Sequence, residues 1–168
     1  MMPSEDMKSW PSREEVQSAL LAAVKRVYEC DSDIVNEKVH ERSIMFHVGR
    51  YLAETVEAWE QPWHVDLEYN KMHVGGRHKV KRVGDEDRYP DLIVHDRLSA
   101  TEGNLLVVEA KKKPACSARR ADFRKLEQSQ EKFRYRNAVY LELLSNFPKW
   151  SWRALDDDAW STHDHLWT

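Results

Sequence analysis

Two short apolar segments between residues 89 and 113 constrain the fold of this chain more than any other feature. The first spans residues 91–95 and the second spans residues 105–110, and a polar stretch that contains Gly103 joins them. Apolar runs of this length, bounded by turn residues, are typical of β-strands in the interior of a sheet. The sequence therefore predicts two neighbouring strands around which the remaining elements are arranged.

Charged residues lie at the ends of these two predicted strands. Because side chains alternate between the faces of a strand, Glu109 and Lys111 are predicted to share one face. Asp91 follows Pro90 at the start of the neighbouring strand and can bring a second carboxylate to the same end of the sheet. Two carboxylates and a lysine, costly to bury alone, can hold a divalent metal and its water. The alternatives are a turn carboxylate at Asp91 and exposed ion pairs at Glu109 and Lys111. The joint placement of these three residues at the ends of adjacent strands favours the metal site over these alternatives.

Helical periodicity precedes and follows the strand pair. Ser12 and Glu15 form a capping-box pattern that predicts a first helix over residues 13–29. Residues 37–59 are predicted to form a second amphipathic helix. A third helix, capped by Ser117, is predicted after the second strand.

Further segments have the alternating pattern of strands. Residues 63–68 alternate apolar and polar side chains, and the Gly75–Gly76 pair separates them from residues 79–83, which predicts a β-hairpin. Residues 138–143 predict one more strand after the third helix. A strand, a helix and a further strand in succession imply a right-handed crossover. The predicted fold class is therefore α/β, with a mixed β-sheet core flanked by α-helices.

The length of the chain favours one domain. Its 168 residues are enough for one core, and 41% hydrophobic with 33% charged residues are typical of a soluble globular protein. We predict a flexible N-terminal tail over residues 1–11 and a single domain over residues 12–147. Residues 148–168 are predicted to be a Trp-rich C-terminal extension that packs on this domain or on a protein partner.

Several classes of protein are excluded by simple patterns. The sequence has no apolar run as long as a membrane span, and residues 1–10 do not have the pattern of a signal peptide, so a cytoplasmic protein is expected. Cys30 and Cys116 are far apart and form no CxxC pair. We therefore interpret both as plain thiols rather than zinc or redox ligands.

Positive charge is concentrated next to the predicted metal site. The formal net charge of the chain is −3, but residues 111–136 contain ten basic and three acidic residues. A phosphate backbone bound at the metal would lie against this block. The alternative is the solvated face of a helix. The candidate nucleic-acid-binding residues are Lys112, Lys113, Arg119, Arg120, Arg124 and Lys125.

Four other polar residues have two interpretations each. Glu41 projects from the edge of the second helix, where it is a solvated residue or a third acid directed at the sheet, and spacing alone favours the solvated position. Glu68 is favoured as hairpin surface over a metal neighbour. His95 and Gln130 are favoured as hydrogen-bonded structural residues over cleft residues.

The order of these residues resembles the PD-(D/E)XK nuclease superfamily, which has the restriction-endonuclease-like fold. Pro90 and Asp91 open one strand, and Glu109, Ala110 and Lys111 close the next. The resemblance covers residues 36–143, including a preceding helix with an acid and a following basic helix. A small, uncharacterised branch of bacterial and phage proteins in this superfamily is also similar in the strings VDLEYNK, PDLIVHDR and NLLVVEAKKK.

This resemblance implies a metal-dependent nuclease that hydrolyses phosphodiester bonds, with DNA as the expected substrate. Asp91, Glu109 and the backbone carbonyl of Ala110 would bind Mg²⁺ or Mn²⁺. Lys111 would position the attacking water, and Glu41 would complete the metal's surroundings or bind a second ion. The catalytic set implied is Glu41, Asp91, Glu109 and Lys111.

Two further expectations concern partners. A catalytically silent nuclease fold that binds protein or nucleic-acid partners is the alternative to an enzyme, and the presence of all four expected catalytic residue types favours the enzyme. A homodimer is also compatible with the sequence, because symmetric pairs of sites cut both strands of a duplex.

Overall fold

The computed structural model describes residues 10–164, in which four helices and ten strands are formed. The helices are α1 (Arg13–Cys30), α2 (Ser32–Asn36), α3 (Glu41–Val56) and α4 (Cys116–Phe133). The strands are β1 (His64–Asp66), β2 (Lys71–Val74), β3 (Arg77–Val80), β4 (Arg82–Val83), β5 (Glu86–Asp87), β6 (Leu92–His95), β7 (Asn104–Lys111), β8 (Asn137–Leu143), β9 (Pro148–Ala154) and β10 (Ser161–Asp164).

Six of these strands form one mixed sheet in the order β1-β6-β7-β8-β9-β10. The pair β7 and β8 is parallel, and every other neighbouring pair in this sheet is antiparallel. Helix α4 makes the crossover between the two parallel strands, as a parallel connection requires. The protein is thus a mixed α/β fold, as the sequence predicted.

Helices cover both faces of the sheet. On one face α1 and α3 pack over a large core that includes Leu92, Val108 and Trp152. On the other face α4 packs over a smaller core around Val107 and Phe133. Because β6, β7 and β8 are buried on both faces, their sequences are nearly continuous apolar runs.

The helix predictions are confirmed for α1 and corrected at the start of α4. Ser12 and Glu15 form the reciprocal capping box that fixes the first residue of α1. Helix α4 begins at Cys116 with Ala115 at its N-cap and has no side-chain cap, so Ser117 lies inside the helix instead of capping it. The α4 N-terminus is exposed, so water can satisfy its first N–H groups.

The predicted hairpin pairs differently from the expectation. Strand β1 pairs with β6 in the central sheet rather than with residues 79–83. The Gly75–Gly76 turn instead joins β2 to β3, which form a two-stranded sheet of their own. Local alternation predicts a strand but does not specify its partner, and this explains the error.

The Trp-rich segment is part of the central sheet. In its described part, strands β9 and β10 extend the sheet beyond β8, and Trp152 is 1% exposed. A domain boundary after residue 147 would therefore divide a continuous core.

The chain before α1 is described from Trp10 onward, and residues 1–9 of the predicted tail lie outside the described residues. The Trp10 ring lies 4.8 Å from the Trp63 ring, and the Arg136 guanidinium lies 3.4 Å from the Trp10 ring centroid. Trp10 is therefore packed on the domain. Over residues 10–164, no helix combines the length and apolar character needed to cross a membrane.

Candidate functional site

The fold brings the four predicted site residues to one end of the sheet. Asp91 directly precedes β6, Glu109 and Lys111 are near the end of the antiparallel neighbour β7, and Glu41 is the first residue of α3. The backbone N–H of Ala110 donates to Asp91 Oδ2 at 2.7 Å, and Lys111 Nζ lies 3.8 Å from Glu41 Oε1. Residues far apart in sequence therefore meet at one end of the sheet.

Asp91 and Glu109 are neighbouring carboxyl groups whose pKa values are both raised. Burial, followed by the neighbouring charge of Asp91, raises the pKa of Glu109 to about 8. Burial also raises the pKa of Asp91, although the N–H of Ala110, the charge of Lys111 and a hydrogen bond with Glu109 act in the opposite direction. Two buried carboxyl groups that share a hydrogen bond favour one retained proton or a bound cation.

The two carboxyl groups open into different clefts. Asp91, Glu41 and Lys111 line a cleft of about 450 Å³ beside the N-terminus of α3. Glu109 lines a second cleft of about 210 Å³ beside α4, together with Lys125. The expectation that Glu109 and Lys111 point the same way is therefore corrected.

The position of Lys111 explains this difference. Glu109 lies two residues after Val107 and shares its α4 face, as strand alternation requires. Lys111 is the last residue of β7, where the chain leaves the sheet and Lys113 adopts a positive φ of 50°. At this position the long lysine side chain reaches Glu41 on the opposite side of the sheet.

The cleft beside the N-terminus of α3 also contains an ion pair that the sequence did not predict. Arg42 Nη2 lies 2.5 Å from Glu68 Oε1, and both residues line the cleft with Asp91. The backbone N–H of Glu68 donates to the carbonyl of Pro90 at 3.1 Å, which holds Glu68 beside the site although it was favoured as hairpin surface. The antiparallel pairing of β1 with β6 is the signal that would have placed it there.

The donor groups fit a hard cation that needs few protein ligands. Over residues 10–164, no group of three or more His, Cys, Asp or Glu side chains is arranged to hold a metal ion. Mg²⁺ usually keeps several waters and is bound by one or two carboxylates with substrate phosphates, and Asp91 and Glu109 are carboxylates of the required type. The Ala110 carbonyl lies on the Asp91 side of β7, because the N–H and C=O groups of a strand residue point the same way.

The six candidate nucleic-acid-binding residues divide into two groups. Internal contacts engage three of them: Lys112 donates to the Glu37 carbonyl, Arg119 pairs with Glu142, and Lys125 pairs with Asp122. The other three, Lys113, Arg120 and Arg124, are exposed.

The opposite end of β6 has a separate polar network. His95 is 3% exposed, and its Nε2 lies 2.8 Å from Asp66 Oδ2, so it is a structural residue far along the strand from Asp91. Gln130 is fully buried, donates to two backbone carbonyls and accepts from Arg153. Both residues therefore have the structural role that the sequence favoured.

Comparison of the chain with family models, curated proteins and solved structures finds no match.

Proposed function

We propose that this protein is a metal-dependent nuclease of the PD-(D/E)XK type, with a restriction-endonuclease-like fold, and that it hydrolyses phosphodiester bonds in DNA. The order of elements supports this proposal: helix α3 precedes three antiparallel strands, and α4 leads to a strand parallel to β7. Asp91, Glu109 and Lys111 lie at the same end of the neighbouring strands β6 and β7.

The observation that carries the proposal is the placement of Asp91, Glu109, Lys111 and Glu41 at one end of the sheet, with Asp91 bonded to the Ala110 N–H and Lys111 beside Glu41. A structural ion pair would neutralise each carboxylate, whereas here burial raises the pKa of both groups, and the charge of Asp91 raises the pKa of Glu109 further. A site that disfavours its own charges when empty is suited to a cationic ligand.

Each residue has a distinct role in this proposal. A Mg²⁺ ion held by Asp91, Glu109 and the Ala110 carbonyl would lower the pKa of a bound water and neutralise phosphate charge. Lys111 would donate hydrogen bonds to that water or to a phosphate oxygen and stabilise the negative charge that develops there. Glu41 would hold the Lys111 ammonium in place, and the Ala110 N–H would fix the orientation of the Asp91 carboxylate.

Replacement of Lys111 by Met tests the role of the ammonium group. We expect Lys111→Met to lower Mg²⁺- or Mn²⁺-dependent cleavage of plasmid and labelled oligonucleotide substrates by about 10²- to 10³-fold, because a hydrogen-bond donor to the developing charge is lost. Lys25→Met is the matched control, since Lys25 is an exposed lysine of α1 that does not line the cleft. It should retain cleavage within a few-fold.

Two results would contradict this proposal. The first is a wild-type protein without metal-dependent cleavage of any DNA or RNA tested, which would favour a silent binding module. The second is a folded Lys111→Met variant as active as the wild type.

A further inference from the structure

A basic hairpin lies in the chain between Glu68 and Asp91, which both line the cleft beside the N-terminus of α3. Strands β2 and β3 pair in register from Lys71 opposite Val80 to Val74 opposite Arg77. Gly75 and Gly76 both have positive φ values, of 55° and 76°, as the tight two-residue turn of a hairpin requires. The two strands form no hydrogen-bonded ladder with the central sheet. We call residues 71–80 the basic arm.

The basic arm has unbalanced positive charge. Lys71, Arg77 and Lys79 are exposed, and their side chains make no ion pair in the described part of the chain. The sequence contains no Asp or Glu between residues 69 and 83. Exposed strand edges often carry lysine to prevent aggregation. Here, however, the three cations have no acidic residue within the arm to balance them.

The next hairpin shows the contrasting arrangement. In β4 and β5, Arg82 Nε lies 2.6 Å from Asp87 Oδ1, and Arg88 after β5 pairs with Glu86 at 3.1 Å. Cations in this hairpin are therefore neutralised by their neighbours, whereas those of the basic arm are not.

The base of the basic arm is fixed although its strands are exposed. Lys81 is 1% exposed and donates through Nζ to Tyr135 Oη at 2.6 Å. The N–H of Lys81 donates to the Asn70 carbonyl at 2.6 Å and closes the base. Met72 packs against the core on the α4 face. A fixed base limits the conformational entropy that the arm would lose on binding a ligand.

The two ends of the basic arm connect to the cleft that Asp91 lines. The chain leaves the central sheet at Glu68 and returns at Pro90, and the N–H of Glu68 donates to the Pro90 carbonyl at 3.1 Å. Glu68 and Asp91 line the same cleft. A ligand bound along the arm is thus held by a segment whose two ends meet at the cleft.

We infer that the basic arm is a DNA-binding element that contacts the phosphates and a groove of duplex DNA next to the cleft. This inference rests on the proposed function. A two-stranded β-ribbon fits the major groove of B-form DNA, and unpaired Lys and Arg side chains replace counterions on phosphates. The only exposed large apolar side chain of the arm is Val74, so the surface has too little apolar area for insertion into a lipid bilayer.

A binding experiment without metal tests the arm separately from cleavage. The affinity of full-length protein for a labelled DNA duplex is measured by fluorescence anisotropy in EDTA over a series of salt concentrations. We expect the triple variant Lys71→Gln, Arg77→Gln, Lys79→Gln to bind at least about tenfold more weakly at low salt. The slope of log affinity against log salt should fall by about three, one for each lost phosphate contact.

A second triple variant controls for net charge. Lys25→Gln, Arg26→Gln, Arg50→Gln removes the same charge from exposed positions in α1 and α3, and it should retain the affinity and the salt slope. Thermal unfolding followed by circular dichroism checks that both variants remain folded.

The outcomes separate the arm from the proposed function. Equal losses of DNA affinity in the two triple variants, or wild-type affinity in the arm variant, would overturn the inference that the arm binds DNA. The inference also fails if the wild type binds no duplex in EDTA, or if the arm variant loses affinity only for anionic lipid vesicles. Duplex binding that depends on the arm, without cleavage in Mg²⁺, would support the arm and contradict the nuclease.

Discussion

Glu109→Gln is expected to lower metal-dependent cleavage strongly and, at the same time, to stabilise the metal-free protein. Loss of a metal-binding carboxylate removes several kcal/mol of transition-state stabilisation, or about 10²- to 10³-fold or more in rate. The same change removes a buried charge next to Asp91. We expect a gain on the order of 1–3 kcal/mol in the free energy of unfolding above about pH 8.

The gain in stability has a defined pH dependence. The pKa of Glu109 is raised in the folded protein from an ordinary value of 4.5 to about 8. Between these pH values the folded state binds more protons than the unfolded state, so the stability of the wild type falls as pH rises. Because glutamine cannot ionise, the advantage of Glu109→Gln is absent below pH 4.5 and largest above about pH 8.

Urea unfolding in EDTA across this pH range, with cleavage assays in Mg²⁺, measures both effects. Glu102→Gln is the matched control, because Glu102 is exposed in the turn before β7, and it should change neither quantity. A Glu109→Gln protein that is less stable than the wild type at about pH 8 would show that the carboxylate has a structural partner instead.

Trp152→Ala is expected to destabilise the protein by about 3–5 kcal/mol, because a buried tryptophan leaves a large cavity in the main core. Trp152 is 1% exposed and lies in β9, between β8 and β10. For a chain of this size such a loss corresponds to a decrease in Tm of about 10 °C. Circular dichroism is the appropriate measurement, since the substitution also removes a fluorophore.

Trp160→Ala is the control for this prediction. Trp160 is partly exposed, lies 4.6 Å from the Phe123 ring and donates to Glu127. Its removal should cost clearly less free energy of unfolding than removal of Trp152. Equal losses, or a Trp152→Ala protein as stable as the wild type, would show that β9 is an appendage rather than part of the core.

Local patterns predicted most of the elements because helix capping and the burial of a strand on both faces depend on residues that are close in sequence. The capping box of Ser12 with Glu15 fixes the start of α1, and the apolar runs of β6 and β7 follow from burial on both faces. Strand β9 was missed although Trp150 and Trp152 alternate with polar residues, because the density of tryptophan suggested docking more strongly than pairing. Partners of strands are a tertiary property, which explains why residues 63–68 were wrongly predicted to pair with residues 79–83.

In the candidate site, too, the sequence predicted the positions that local patterns determine and missed those that tertiary contacts determine. The sequence placed Asp91, Glu109 and Lys111 at one end of the sheet, since strand order and strand ends determine that position. It did not predict that Glu109 and Lys111 reach clefts on opposite faces, because the direction of Lys111 depends on where the chain leaves β7. The pairing of Glu68 with Arg42 depends on the approach of α3 to β1, which no local pattern encodes.

Titration of the metal-free protein with Mn²⁺ at about pH 8, followed by calorimetry, tests most directly whether Asp91 and Glu109 form a cation site. We predict saturable binding at one site, released protons, and affinity at least about tenfold weaker in the double variant Asp91→Asn, Glu109→Gln. A wild type without saturable binding, or a double variant with unchanged affinity, would contradict the account.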